Sequence, residues 1–183
     1  MIYYLLVMEL VKPELQLVCD FVNTLDREAG QDELADAAGL GVWLRARGLW
    51  AGRADDDDAA AARALREALR ELMRANNGED VDSATATASL DEAARRAGIG
   101  VRFDTGSIRL VAPAGGVGEV LVAAGTAMAD GSWSRLKACR SSTCRWAFVD
   151  TARNRSRQWC SMSVCGNREK ARSFRRRHGA ASA

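Results

Sequence analysis

Leu15, Val18, Cys19, Val22 and Leu25 recur at three- and four-residue intervals between polar positions. That spacing puts them on one face of a helix over residues 13–27. Pro13 suits its first turn, where a missing N–H costs nothing. Leu40, Val42, Trp43, Leu44 and Leu49 predict a second, shorter helical segment, interrupted by Gly39 and Gly41. The strongest pattern follows: Leu65, Leu69, Leu72 and Met73 form one stripe, with Arg63, Glu67, Arg70, Glu71 and Arg74 elsewhere. It predicts a helix over residues 57–76, with Asp55–Asp58 at the positive end of its dipole and Gly78 ending it. Ser89 and Glu92 have capping-box spacing before Ala93–Ala97, and Gly98 is the stop.

The period then changes to two. Val101, Phe103, Ile108, Leu110 and Ala112 alternate with polar residues around Asp104-Thr105-Gly106-Ser107, which predicts a β-hairpin over residues 100–112. Val117, Val120, Leu121, Ala124 and Met128 mark a helix over 117–130. Gly115-Gly116-Val117-Gly118 has neither the glycine spacing nor the following Lys-Ser or Lys-Thr of a phosphate loop, so it reads as a connector. The expected fold class is α+β: a mostly helical N-terminal domain with a small hairpin, residues 1–134, and a distinct C-terminal module, residues 135–183.

Composition is that of a soluble globular protein, and no apolar run approaches the roughly 20 residues of a bilayer span. Met1–Leu10 is apolar but lacks a basic leader and a small-residue cleavage site. It reads as an imperfectly placed start or a packing strand, and a cytoplasmic, nucleoid-associated protein is expected. Charge divides the chain more sharply than hydrophobicity does. Residues 135–178 hold 13 Arg or Lys against Asp150 and Glu169, a net of +11, and the remainder carries a net of −9. A local basic concentration of this kind is the electrostatic footprint of a nucleic-acid binder.

The basic segment also holds four of the five cysteines, spaced Cys139-x4-Cys144-x15-Cys160-x4-Cys165. Two short pairs separated by about 15 residues form a metal-site pattern in which each pair grips one side of an ion. Two disulfides fit a secreted protein, and an iron–sulfur cluster also takes four cysteines. A single structural zinc ion is the reading preferred here, with Arg140, Arg145, Arg157 and Arg168 near enough in sequence to offset the thiolate charge. Such a site has no open position for catalysis. Trp146, Phe148 and Val149 read as a strand packed under the metal, Trp159 as further support, and Asp150 as a turn cap or arginine partner. Cys19 stands apart as a small buried hydrophobe. His178 is the only histidine and lies in the basic tail, which excludes Ser–His or Cys–His catalysis in the N-terminal part. No enzyme is expected.

Cys139-Arg140, Cys144, Phe148-Val149-Asp150-Thr151, Arg153-Asn154, Ser156-Arg157, Trp159-Cys160-Ser161-Met162 and Cys165-Gly166-Asn167-Arg168 with Lys170 resemble the CGNR zinc finger family over residues 136–178. Asp20-Phe21-Val22-Asn23-Thr24-Leu25, Trp43-Leu44 and Ala64–Arg70 resemble the ABATE domain that usually precedes this finger. Thr151-Ala152 stands where Thr-Ser is common, and Arg155 where a small residue is common. The resemblance implies a treble-clef finger in a bacterial transcription regulator, some relatives being linked to stress responses. The N-terminal domain is expected to sense a small-molecule effector or mediate homodimer formation, with no ligand-binding residues assigned.

Within the finger, Gly166 follows the last ligand, where a side chain would crowd the metal and the turn, and Asn167 reads as a helix cap. At about 100° per residue, Arg168, Arg172, Arg175 and Arg176 share one side of the helix beyond, with Phe174 roughly opposite as an aromatic anchor. The Arg175–Arg177 run suits phosphates. Arg153, Asn154, Arg155 and Arg157 in the loop, and Arg168 and Lys170 on the helix, are the candidates for reading bases. At least Asn154 or Arg157 is expected to bind backbone within the finger. Duplex DNA is the expected partner. An RNA-binding zinc protein and a zinc-stabilised adaptor are the alternatives.

Overall fold

The computed structural model describes residues 11–49 and 52–179. The Met1–Leu10 reading lies outside them. Helix α1 spans Pro13–Val22, shorter than its apolar pattern, because Asn23 turns the chain into a two-residue strand β1, Leu25–Asp26, paired with β2, Gln31–Asp32. Helix α2 runs unbroken over Ala37–Ala46 with both glycines inside it. A side chain at Gly39 would collide with the Glu33 carbonyl. These glycines therefore permit close approach rather than mark breaks. Helix α3, Asp56–Asn76, starts at a capping box between Asp55 and Asp58. Helix α4 is longer than its sequence signal, Ser83–Arg96. Its cap is Asp82, and Ser89 lies mid-helix with its hydroxyl donated to the Thr85 carbonyl. Only Ala86 of α4 is buried, so the polar first turns carried no apolar periodicity.

Strands β3, Gly100–Asp104, and β4, Ser107–Val111, form the expected hairpin. Helix α5 spans Gly118–Ala129. After a 3₁₀ turn at Ser132–Arg135, strands β5, Leu136–Ala138, and β6, Ala147–Val149, pair antiparallel. A π turn, Met162–Gly166, leads into helix α6, Asn167–Gly179. No helix among the described residues is long and apolar enough to cross a membrane.

One apolar cluster organises these elements. It takes Val18, Phe21 and Val22 from α1, Leu40 and Trp43 from α2, Leu65, Leu69 and Met73 from α3, and Val120 and Ala124 from α5. Phe21 meets Trp43 edge-on, ring centroids 5.4 Å apart. Leu136 and Ala138 of β5 and Ala147 of β6 belong to the same cluster. The C-terminal strand pair is thus built into the helical core instead of hanging from it. Each large side chain so buried contributes about 1.5–3 kcal/mol.

Two arginines of α3 break the simple amphipathic picture. Arg66 is 3% and Arg70 2% exposed, although Arg70 carries the sequence signature of the solvent face. Arg66 clasps the Asp32 carboxylate with two hydrogen bonds, 2.6 and 2.9 Å, and reaches the Thr24 hydroxyl. Arg70 donates to the carbonyls of Val22 and Arg145. These carbonyls end α1 and follow the first cysteine pair, so one guanidinium spans both halves of the chain.

Candidate metal centre and nucleic-acid interface

Cys139 follows β5 and Cys144 precedes β6, so the first pair closes a knuckle on that hairpin. Cys160 and Cys165 flank the start of the π turn that leads into α6. Knuckle, hairpin and helix in this order make the treble-clef-like arrangement. The four sulfurs lie within 4.8 Å of one another. Cys144 Sγ is 3.6 Å from Cys160 Sγ, and Cys160 Sγ is 3.7 Å from Cys165 Sγ. Tetrahedral zinc with bonds of about 2.3 Å needs sulfurs about 3.8 Å apart, so the residues fit one such ion.

Their acid–base chemistry points the same way. Without a cation, the neighbouring thiols of Cys144 and Cys160 hold the Cys139 thiol well below its ordinary value. That single thiolate, hydrogen-bonded by Cys144, pushes the Cys144 thiol up to about 12. Cys160 is raised by the hydrogen bonds it gives Cys139 and Cys144, and Cys165 by burial and then by the Cys139 charge. The crowded donors thus stabilise one negative charge by themselves and need a cation to carry four. Cys19 is different: it is buried, and desolvation raises its thiol.

The knuckle is fastened to the helical domain by side chains whose partners the sequence did not show. Asn23 gives its amide N–H to the Ala147 carbonyl and accepts the Ala147 N–H, at 3.0 and 2.7 Å, in the manner of a neighbouring strand. Asn77, at the end of α3, donates to the carbonyls of Ala138 and Gln158. Asn76 donates to those of Trp133 and Leu136. Arg140 answers by donating to the Asn77 and Gly78 carbonyls. Glu79 takes two hydrogen bonds from Arg145, whose backbone φ is +55°. Asn76 and Asn77 read locally as nothing more than a helix end. No signal within a few residues could have shown their partners, which lie 57 to 81 positions away.

Lys137 escaped sequence reading for the same cause. It alternates with Leu136 and Ala138 and so reads as the wet side of a strand. In the fold it is 5% exposed, and its ammonium lies 2.7 Å from the Asp150 carboxylate, which is 0% exposed. Lys137 also donates to the Arg155 and Arg157 carbonyls. Asp150 accepts the Ala152 and Arg157 backbone N–H groups, so it caps the turn as its sequence position suggests. Burial alone would raise the Asp150 carboxyl; Lys137 and the backbone donors outweigh it and hold the pKa below the ordinary value. This buried pair fixes the loop that displays Arg153, Asn154 and Arg155.

Several sequence expectations need correction. Gly166 is not one of them: a side chain there would crowd the turn as expected, meeting Met162 and Trp159. The cap of the C-terminal helical segment is Ser161, which accepts the Val164 N–H; Asn167 instead donates back to the Ser163 carbonyl. Phe174 anchors nothing among the described residues: it is 55% exposed and stacks on His178 at 4.0 Å. Trp146 stands outside β6, 37% exposed, in a groove between α1 and the finger. Of the four arginines near the ligands, Arg145 and Arg157 touch the backbone carbonyls of Cys139 and Cys160. Arg140 turns to α3, and Arg168 to Glu28 in the β1–β2 turn.

The candidate contact residues fall into two groups. Arg157 is bound to the Cys160 carbonyl and lies over the Phe148 ring. Asn154 accepts from Ser156, Arg155 donates to Ser134, and Arg172 and Arg176 both pair with Glu169. Arg153, Lys170, Arg175 and Arg177 are exposed and make no ion pair or side-chain hydrogen bond among the described residues.

Fold and site together define a zinc-finger protein whose finger is fused to a helical N-terminal domain. Residues 15–134 match the ABATE family, described as "Putative stress-induced transcription regulator", and residues 135–178 match the CGNR zinc finger. The chain belongs to the ABATE family and carries a CGNR finger at its C-terminal side. No curated protein matches it.

Proposed function

We propose that the protein is a DNA-binding transcription regulator whose Cys139, Cys144, Cys160 and Cys165 hold one structural zinc ion. When bound, zinc supplies the charge that lets four thiolates sit together and ties the hairpin to α6. The observation that carries the reading is the set of cations, exposed and unpaired among the described residues, on the loop and helix that follow the cysteine knuckle: Arg153, Lys170, Arg175 and Arg177. In a folded domain such groups are solvated or bind an external polyanion, and the net of +11 over residues 135–178 favours the polyanion. The Lys137–Asp150 pair presents the Arg153 loop rigidly, as base reading requires, while α6 offers Arg175 and Arg177 to phosphates.

An effector site in the helical domain is part of the same reading. A half-open cleft of about 200 Å³ lies among α2, α3, α4 and α5, walled by Leu40, Leu44, Ala62, Leu65 and Leu121. The Asp58–Arg96 pair stands at its rim. The size suits a small, mainly apolar molecule, since a cavity of ~150 Å³ accepts benzene.

Titration of duplex DNA, single-stranded RNA and structured RNA across salt concentrations tests the proposal. Four to six phosphate contacts predict that log K for duplex DNA falls with log salt at a slope of roughly −4 to −5. A nearly flat dependence, or tighter binding to either RNA, rules the reading out.

A further inference from the structure

Hairpin β3–β4 exposes what a helical domain ordinarily buries. Phe103 is 78%, Ile108 66% and Val101 51% exposed. The register pairs Val101 with Leu110 and Phe103 with Ile108, so these four share one face of the ribbon. Leu110 rests over Gly125 of α5, and the other three stand clear of the body. A contiguous apolar face of this kind marks an interaction site. Among the described residues, strand β3 has a ladder partner on one side only, and Val101 to Asp104 are all exposed. Its sequence, Gly-Val-Arg-Phe-Asp, has no Pro or bulge to keep the edge single, and its two charges, Arg102 and Asp104, are of opposite sign.

The direction of the free backbone groups follows from the turn. Asp104 and Ser107 close the two-residue turn Thr105-Gly106. Hydrogen-bonded and non-hydrogen-bonded pairs alternate from there. Asp104 and Arg102 therefore aim their N–H and C=O at β4, and Phe103 and Val101 aim theirs outward.

We propose that the β3 edge is a homodimer interface, in which β3 pairs antiparallel with β3 of a second copy about a two-fold axis at Phe103. In that register the outward N–H and C=O of Phe103 bond to their counterparts. Arg102 of each copy lies opposite Asp104 of the other, so that each Asp104, 3.4 Å from Arg109 of its own hairpin, takes a second arginine across the axis. Centring the axis on Arg102 or on Asp104 puts like charges face to face. A single short edge carrying Arg and Asp symmetrically about an outward-facing residue is complementary to itself under two-fold rotation, which an edge meant for a foreign strand has no cause to be. The product is a four-stranded sheet, β4-β3-β3-β4, with Val101, Phe103, Ile108 and Leu110 of both copies on one face. The shared edge is only a few residues long, so the dimer is expected to be weak and concentration-dependent.

Sedimentation velocity of the full-length, zinc-loaded protein from about 1 to about 300 µM reads the equilibrium. The wild type is expected to pass from monomer to dimer across that range. Arg102→Glu is expected to weaken association by about tenfold or more, and adding Asp104→Arg to recover most of it, because the pairs re-form with signs exchanged. Phe103→Pro removes an outward N–H without touching the β4 ladder and is expected to abolish the dimer, with helical circular dichroism and bound zinc unchanged. A wild type that stays monomeric throughout, with and without duplex DNA, overturns the proposal. So does a dimer indifferent to Phe103→Pro, and weakening by Arg102→Glu without rescue overturns the register.

Discussion

Replacing Lys137 by Met removes the cation facing Asp150 while keeping the length and most of the volume of the side chain. The carboxylate then remains at 0% exposure with the N–H groups of Ala152 and Arg157 as its donors. The carbonyls of Arg155 and Arg157 lose their shared donor as well. Removing one partner of a buried ion pair costs about 3–5 kcal/mol, because the other charge stays desolvated. The expected loss for Lys137→Met is therefore about 3–5 kcal/mol in urea unfolding of the zinc-loaded protein at neutral pH. The double variant Lys137→Met with Asp150→Asn separates the pair from its surroundings. It is expected to cost less than the sum of the two single changes by about 2 kcal/mol or more, since neither leaves a bare charge once the other is made. DNA affinity at low temperature, where the variant is still folded, should fall with the disorder of the Arg153 loop. A single-variant cost below about 1 kcal/mol would refute the view that this pair orders the loop.

Other outcomes follow from the same geometry. Zinc affinity should rise with pH near neutrality, with release of protons, because the thiols of Cys144, Cys160 and Cys165 are raised and must ionise to bind the metal; competition titrations at several pH values check the sign, and an affinity that does not rise with pH would contradict it. Chelation should destabilise the whole chain in one transition rather than unfold a separate finger, because Leu136, Ala138 and Ala147 lie in the common core; two resolved transitions by circular dichroism would contradict this. Asn77→Ala, which strips the Ala138 and Gln158 carbonyls of a buried donor, should cost about 1–3 kcal/mol in the same unfolding assay. Replacing Arg175 and Arg177 together by Ala should reduce the steepness of the salt dependence of DNA binding by about 2, one phosphate contact each.

Much of this protein is written locally. The stripe Leu65-Leu69-Leu72-Met73 determined α3, the alternation around Thr105-Gly106 determined the hairpin, and the two x4 cysteine pairs determined a four-sulfur site. Each follows from interactions between residues a few positions apart, through helical pitch, strand pleat or the bite of a knuckle on one ion. The charge division was also legible, because charge adds up along the chain whatever the fold. Tertiary structure alone decided which charges are free. Arg66, Arg70 and Lys137 look like surface cations and are buried, because Asp32, the Val22 carbonyl and Asp150 are brought to them from a distance. It alone joined the finger to the helical core through Asn23 and Asn77, and left the apolar face of β3–β4 outside. Burial and long-range hydrogen bonding depend on how elements close on one another, and the spacing of residues within each element carries no record of that closure.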